Sequence, residues 1–171
     1  MKVLMNDVSR ETFRLSTPAD APLIQKLAER IWWQVYPSII GEAQIRYMLE
    51  RMYALPTIRA EIEAGVEYVL LSLASRPVGF YALEHRPETA RLHKLYLDVD
   101  AHGQGLGQRM IAHAAERARD RGARFMDLTV NKNNQRAIRA YKRAGFKIVQ
   151  SLVLDIGQGY VMDDYRMCLP L

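Results

Sequence analysis

The sequence predicts a mixed α/β domain in which one β-sheet carries helices on both faces. Two observations indicate this fold class. Six or seven short apolar segments read as strands, and helices with apolar stripes interrupt them in the order ββββ-α-β-α-ββ. The length of 171 residues, with 49% hydrophobic and 25% charged residues, fits one domain over residues 1–171 that buries a full core.

The first part of the chain is predicted to contain one strand and three helices. The strand covers residues 12–17, and the helices cover about 17–36, 41–53 and 57–65. Thr17 followed by Pro18 and Asp20 is typical of a helix start, and Gly65 is a stop signal.

From residue 67 onward the apolar spacing changes to that of strands. Strands are predicted at 67–74, 77–85, 91–99, 124–130, 146–154 and 160–169, and helices at 106–122 and 134–145. Gly122 and Gly145 end the two helices, because glycine adopts the left-handed conformation that terminates a helix.

Several classes of protein are not expected. No apolar run approaches the ~20 residues that cross a bilayer, and residues 1–13 lack the apolar segment of a secretion signal. Cys168 has no partner for a disulfide, and His85, His102 and His113 have no metal-ligand spacing. The sequence therefore predicts a cytoplasmic protein without a metal.

The charge is unevenly distributed along the chain. The net charge is +5, but residues 103–147 hold eleven Lys and Arg against three acids, a local balance of +8. A basic half suggests an anionic ligand, either nucleic acid or a phosphorylated cofactor. The alternative is that these are ordinary solvated arginines on surface helices.

Glycines stand at alternate positions in the segment His102-Gly103-Gln104-Gly105-Leu106-Gly107, directly before a helix. Gln108 follows, which is neither the lysine of a P-loop nor the third glycine of a dinucleotide fingerprint. The first amides of a helix are unpaired and carry partial positive charge, so a glycine turn there forms an anion site. The alternative is a flexible connecting loop.

A second motif follows about thirty residues later. Asn134, Ile138 and Tyr141 fall at i, i+4 and i+7, so a carboxamide and a phenol lie on one helix face, about 10 Å apart along the axis. Each has an alternative role, Asn134 as a helix cap and Tyr141 as a core aromatic residue. Gly145 and Phe146 complete the motif.

Together the two motifs resemble the GNAT superfamily of N-acetyltransferases, which transfer acetyl from acetyl-CoA to amines. His102 departs from the Gln or Arg that the family carries at that position, whereas the asparagine, tyrosine and Gly-Phe pattern is matched. The resemblance implies a mostly antiparallel sheet with a splayed parallel central pair. It also implies contacts to acetyl-CoA from Leu97, Asp98, Val99, His102, Gly103, Gln104, Gly105, Leu106, Gly107, Gln108, Asn134 and Tyr141.

The chemistry needs an oxyanion donor, a proton donor and a base. The resemblance assigns the Leu97 amide to the oxyanion and the Tyr141 phenol to protonation of the departing CoA thiolate. His93, four residues before Leu97 and on the same face of the strand, is one candidate base, and Glu84, at the end of the preceding strand and acting through water, is a second. The alternative for His93 is a structural or solvent-facing histidine.

The family builds its acceptor groove from the first helices and the closing strands. These elements carry aromatic and acidic residues suited to a cationic amine, and the predicted acceptor contacts among them are Trp33, Tyr36, Asp155 and Asp163. The other aromatic and acidic residues of these elements are Trp32, Tyr160, Tyr165, Glu42 and Asp164. The alternative is that the acidic residues are solvent-exposed residues of a surface hairpin without a role in binding.

The tail from residue 155 resembles the family branch that includes spermidine/spermine acetyltransferases, so the expected acceptor is a polyamine-like small molecule or a peptide amine. A homodimer is common in the family. Neither nucleic acid nor membrane is an expected partner. Two rival functions remain, a catalytically silent acyl-CoA-binding regulator and a basic nucleic-acid-binding module, and the second lacks an aromatic stacking platform among its arginines.

Overall fold

The computed structural model describes residues 11–171; residues 1–10, including most of the stretch expected to lack a secretion signal, lie outside it. The strands are β1 (Glu11–Leu15), β2 (Glu67–Leu73), β3 (Arg76–Arg86), β4 (Thr89–Leu97), β5 (Phe125–Asn131), β6 (Lys147–Gly157) and β7 (Tyr160–Pro170). The helices are α1 (Ala21–Val35), α2 (Pro37–Ile40), α3 (Glu42–Met52), α4 (Leu55–Glu63), α5 (Leu106–Asp120) and α6 (Gln135–Arg143).

The seven strands form one sheet in the order β1-β2-β3-β4-β5-β7-β6. The pairing of β4 with β5 is parallel, and the other neighbouring pairs are antiparallel. The predicted mixed sheet of six to seven strands with a parallel central pair is confirmed.

Each face of the sheet has its own apolar core. One core packs α5 and α6 against the sheet through residues such as Met110, Ala114 and Ile138. The other packs α1, α3 and α4 against the opposite face through Ile24, Ile45 and Ile58. Helices therefore cover both faces, as their apolar stripes predict.

The two central strands separate along their length. β4 and β5 pair from Thr89–Phe125 to Arg91–Asp127, and their pairing ends there. β4 nevertheless remains paired with β3 as far as Leu97, opposite Gly79. A Cβ at Gly79 would lie 2.5 Å from the Tyr96 carbonyl oxygen, so only glycine allows this close approach of the two backbones. The result is a gap between β4 and β5 at the end that carries the glycine loop.

Local irregularities are where the structure departs from the sequence pattern. The helix expected from residue 17 begins with a 3₁₀ turn, Pro18–Asp20, in which Asp20 accepts a hydrogen bond from the Thr17 amide at 2.8 Å. The short helix α2 was not predicted, because four residues are too few to show a helical period. Within residues 11–171, the structure contains no helix with the length and apolar character to cross a membrane.

Candidate active site

A cavity of about 590 Å³ occupies the gap between β4 and β5 and reaches both faces of the sheet. On one face its walls come from the glycine loop, α5 and α6. On the other face they come from α1 and α3, and the lining includes Trp32, Tyr36, Met48, Met52, Met162 and Asp164. One cavity therefore connects the two sequence motifs to a chamber, defined here as the part of the cavity lined by Trp32, Tyr36, Met48, Met52, Met162 and Asp164.

The glycine loop presents its backbone to this cavity. Gly103 and Gly105 have φ values of 79° and 75°, which side chains with a Cβ rarely adopt. A Cβ built at Gly103 or Gly107 would meet no protein atom within 4 Å. Within the described residues, the backbone amides from Gly103 to Gln108 donate to no backbone acceptor. The loop can therefore receive an anion at the start of α5.

The Leu97 amide is directed into the gap. The Asp98 amide donates to the Val78 carbonyl at 2.7 Å, so that pair is hydrogen-bonded across β3 and β4. Because hydrogen-bonded and non-hydrogen-bonded pairs alternate along an antiparallel ladder, the polar backbone groups of Leu97 face away from β3. The Leu97 carbonyl accepts a hydrogen bond from His102 Nε2 at 2.9 Å.

Other predicted cofactor contacts hold the strand end in place. Burial, with the nearby Arg136, lowers the pKa of His102, so a neutral ring caps the end of β4. Asp98 is buried and accepts a hydrogen bond from Arg30 of α1 at 2.6 Å. The Val99 amide lies 3.4 Å from the Gln34 side chain.

The remaining loop residues have separate positions. The Gln104 carbonyl accepts a hydrogen bond from Arg109 at 3.2 Å, and the buried Leu106 packs in the core between α5 and the sheet. The Gln108 side chain donates to the Ala140 carbonyl at 2.9 Å, which joins the start of α5 to α6 beside the cavity.

The second motif lines the same cavity as the loop. Asn134 caps α6 by accepting a hydrogen bond from the Ala137 amide at 3.2 Å, and it also lines the cavity. Tyr141 is buried, packs edge-on against Phe146 and lines the same cavity. Burial, with the neighbouring Tyr36 phenol, raises the pKa of Tyr141, so its hydroxyl carries a proton at neutral pH.

The two candidate bases form a pair. Glu84 accepts a hydrogen bond from Nε2 of His93 and another from Arg86, and these bonds, that of Arg86 foremost, lower the pKa of Glu84 to about 2. His93 lines the cavity and Glu84 does not. Ala82 pairs with Lys94 and Leu83 with Leu92, so His93 is a bulged residue. The bulge shifts the alternation of β4, and the simple strand geometry that placed His93 on the face of Leu97 does not hold.

The predicted acceptor contacts divide into one that lines the cavity and three that do not. Tyr36 lines it, and burial raises the pKa of this phenol to about 12. Trp33 lies outside, with Arg46 over its ring at 5.2 Å. Asp155 accepts a hydrogen bond from the Gly157 amide at 2.8 Å in the β6–β7 turn, and Asp163 pairs with Lys132.

In two places the cavity residue is one position from the predicted contact. Trp32 lines the cavity where Trp33 was expected, and Asp164 where Asp163 was expected. The alternation of side chains along β7 could have identified Asp164. The buried Met167 lies on the same face of β7 as Asp163, so Asp164 lies on the other face. Burial raises the pKa of Asp164 to about 6.

Comparison with known proteins identifies the family. The profile of the Acetyltransferase (GNAT) family matches residues 26–146, which is more than half of the chain. The chain therefore belongs to the GNAT acetyltransferase family.

Individual relatives match parts of the chain. The peptidyl-lysine N-acetyltransferase YjaB of Escherichia coli is 29% identical over 104 residues, which are 60% of this chain and 65% of the relative. The uncharacterised N-acetyltransferase MJ1207 of Methanocaldococcus jannaschii is 34% identical over 87 residues, 47% of this chain and 38% of the relative. The chain thus spans less than two thirds of the length of these two curated relatives.

Solved structures share the whole fold. The PaiA N-acetyltransferase from Thermoplasma acidophilum, determined in complex with coenzyme A, superposes with a TM-score of 0.82 and 20% identity, covering 95% of this chain and 99% of the other. At this identity the similarity establishes the fold.

Proposed function

We propose that the protein is an N-acetyltransferase that moves an acetyl group from acetyl-CoA to a primary amine of a small molecule or a peptide. The observation that carries this proposal is the cavity through the β4–β5 gap. It joins a loop of unpaired amides, a protonated phenol and a buried carboxylate in one space. The peptidyl-lysine acetyltransferase among the relatives and the coenzyme A complex among the structures support it.

The loop side of the cavity fits the anionic end of acetyl-CoA. The amides from Gly103 to Gln108 would hold the pyrophosphate at the positive end of α5. Arg136, Arg139 and Arg143 of α6 line the cavity and supply positive charge to the phosphates. This assignment accounts for the basic segment between residues 103 and 147 without a nucleic-acid partner.

Residues at the gap would act on the reacting groups. Acetyl-CoA, when bound, supplies an acetyl group activated as a thioester. The Leu97 amide points into the gap, where it can donate to the thioester oxygen; one such donor is worth about 3 kcal/mol. Tyr141 would protonate the departing sulfur, and burial keeps its proton in place until then.

Conversion of a protonated amine to an amide releases two protons from nitrogen. One ends on the CoA sulfur through Tyr141, and the other leaves through a base. The cavity wall offers two groups for this second proton, His93, through the ring nitrogen that Glu84 leaves open, and Asp164. Acceptors with a polyamine-like or lysine-like arm fit this chemistry, and a homodimer is compatible with it.

The experiment is a screen of primary amines against purified protein and acetyl-CoA, read by release of CoA thiol, with calorimetric binding of acetyl-CoA on the same sample. Binding with turnover of at least one amine supports the enzyme. Binding of acetyl-CoA without turnover of any amine in the panel would indicate that the protein is a catalytically silent acyl-CoA-binding regulator. Salt-sensitive retention on DNA that acetyl-CoA does not displace would assign the nucleic-acid module.

A further inference from the structure

Asp164 is the buried carboxylate of the acceptor side of the cavity. It lies on β7 opposite Asn131 of β5 and Leu152 of β6, and only 1% of its surface is exposed. It lines the cavity, and its Oδ1 atom has no hydrogen-bond partner among residues 11–171. A buried polar atom without a partner costs free energy, and a ligand that pairs with this oxygen would remove that cost.

The neighbouring cations are engaged elsewhere. Lys132 forms its ion pair with Asp163. Arg91 donates to Asp127 at 2.6 Å. Within the described residues, Asp164 takes part in no ion pair, so the protein supplies no direct counterion to this carboxylate.

The chamber around Asp164 favours one kind of ligand. The cavity wall also contains Lys94, but its ammonium group is paired with Glu61 at 2.6 Å. Much of the remaining wall on this side is apolar and includes Met48, Met52 and Met162. Methionines adapt to an unbranched hydrocarbon, and a buried carboxylate needs a cation. A primary ammonium group at the end of an alkyl chain satisfies both requirements at once.

We propose, building on the acetyltransferase function above, that Asp164 is the acceptor-binding carboxylate: it pairs with the ammonium group of an unbranched alkylamine and receives its first proton. The N–H bond breaks, the electron pair stays on nitrogen, and the proton moves to a carboxylate oxygen of Asp164. The neutral amine then attacks the acetyl carbon, so the C–N bond forms and the C–S bond breaks with its electron pair on sulfur. Tyr141 protonates the thiolate, and the second proton lost from nitrogen restores the phenol. Asp164 returns its proton to solvent after the product leaves, so the charge and atoms balance over the cycle.

The electrostatic surroundings of Asp164 are mixed. Burial raises its pKa most, the adjacent Asp163 raises it further, and Lys132 and Arg91 lower it, with about 6 as the result. Tyr36 faces it from the end of α1 and stays neutral. The group is therefore ionised at pH 8 and can accept a proton more readily than an ordinary aspartate.

The test compares Asp164→Asn with Asp163→Asn, the adjacent residue on the opposite face of β7. The substrates are pentylamine, 1,5-diaminopentane and a peptide with one internal lysine, all with the same ammonium group. For Asp164→Asn we expect kcat/KM at pH 8 to fall at least 100-fold for every substrate that the wild type accepts, with the Kd of acetyl-CoA within twofold. Asp163→Asn removes a neighbouring charge but leaves the Asp164 carboxylate in the cavity and ionised at pH 8, so its kcat/KM should fall at most about tenfold.

The wild-type pH profile provides a second measurement. The kcat/KM value for pentylamine should fall about tenfold per pH unit below about 6, because protonated Asp164 can neither pair with the ammonium group nor accept its proton. Full activity of Asp164→Asn, or loss of activity in Asp163→Asn alone, overturns the proposal. If the wild type acetylates no amine, the proposed function fails separately. Pentylammonium binding by calorimetry then decides on Asp164: loss of binding in Asp164→Asn supports its role, and equal affinity in both proteins overturns it.

Discussion

At the scale of single residues, the carboxyl group of Asp164 determines much of the pH behaviour expected of this protein. Its side chain is buried with one oxygen unpaired, so the charged form costs the folded state free energy. The folded-state pKa of about 6 lies above the value of an unfolded aspartate, near ~3.9. The cost therefore appears as pH rises from about 4 and is complete above about 6.

Replacement of Asp164 by asparagine should consequently stabilise the protein at high pH while it impairs catalysis. The expected gain in unfolding free energy is on the order of 2–3 kcal/mol at pH 8, and about half of that at pH 5. In thermal melts this corresponds to a Tm increase of roughly 6–8 °C at pH 8. A variant that is less stable than wild type at pH 8 would show that the ionised carboxylate is held by favourable contacts.

Substitution of Tyr141 by phenylalanine should likewise affect catalysis without affecting folding. Tyr141→Phe keeps the ring that packs on Phe146, so folding and the Kd of acetyl-CoA should change little. If protonation of the thiolate limits the reaction, turnover should fall about 10²–10⁴-fold, the usual effect of losing a general acid. The measurement is CoA-thiol release beside calorimetric binding. Undiminished turnover, with chemistry shown to be rate-limiting, would assign Tyr141 to packing only.

At the scale of elements, the glycine loop and the start of α5 act as one unit. Two glycines there differ in what a side chain would disturb. Gly105 has φ of 75°, so a larger residue strains the backbone, and its Cβ would lie 3.5 Å from the Arg109 guanidinium. Gly107 has helical geometry and open space around the Cβ position, so substitution there disturbs only what binds in that space.

We therefore expect Gly107→Val to leave the Tm nearly unchanged and to weaken acetyl-CoA binding at least tenfold, because the side chain would occupy the approach to the amides. Gly105→Val should lower both stability, by about 1–2 kcal/mol, and affinity. Gly122→Val is the control, since Gly122 has φ of 84° and open surroundings at the far end of α5. It should lose stability only. Normal affinity in folded Gly107→Val would refute the loop assignment.

Local sequence information was sufficient for some elements and not for others. The glycine loop and the stop at Gly145 depend on residues a few positions apart, so the sequence predicts them. The cap at Asn134 is equally local, and the sequence offered it as the alternative role of this residue. The bulge at His93 depends on pairing with β3, and it shifts the alternation that linked His93 to Leu97. No short-range pattern encodes such a shift, because the partner strand determines the register.

At the scale of the whole molecule, the packed fold determines which of the candidate acceptor residues face the cavity. Asp163 and Asp164 are chemically equivalent in the sequence. The orientation of β7 between β5 and β6 decides that Asp163 meets Lys132 and Asp164 meets the cavity. Trp32 and Trp33 differ in the same manner around α1. The sequence thus predicted which types of residue the candidate acceptor site contains, aromatic and acidic. It could not predict which of these residues face the cavity, because that depends on the packing of the whole fold.

The divergence of β4 from β5 is the structural basis of the proposed function. It connects the two cores of the sheet, so a cofactor held on the α5–α6 face can meet an acceptor held on the α1–α3 face. Gly79 allows β4 to remain paired with β3 where β4 and β5 diverge, because it has no Cβ to collide with the Tyr96 carbonyl oxygen. The cavity is therefore a property of the whole sheet, which neither face contains alone.

Transfer of acetyl from acetyl-CoA to an amine across this cavity is tested most directly by the stoichiometry of the wild-type reaction with acetyl-CoA and pentylamine. Free thiol and N-acetylpentylamine are quantified in the same samples, by a thiol reagent and by mass spectrometry. We predict that the two products form in equal amounts and that thiol release stops when the amine is omitted. Thiol release without matching amide, or no product from any amine while acetyl-CoA still binds, would contradict it.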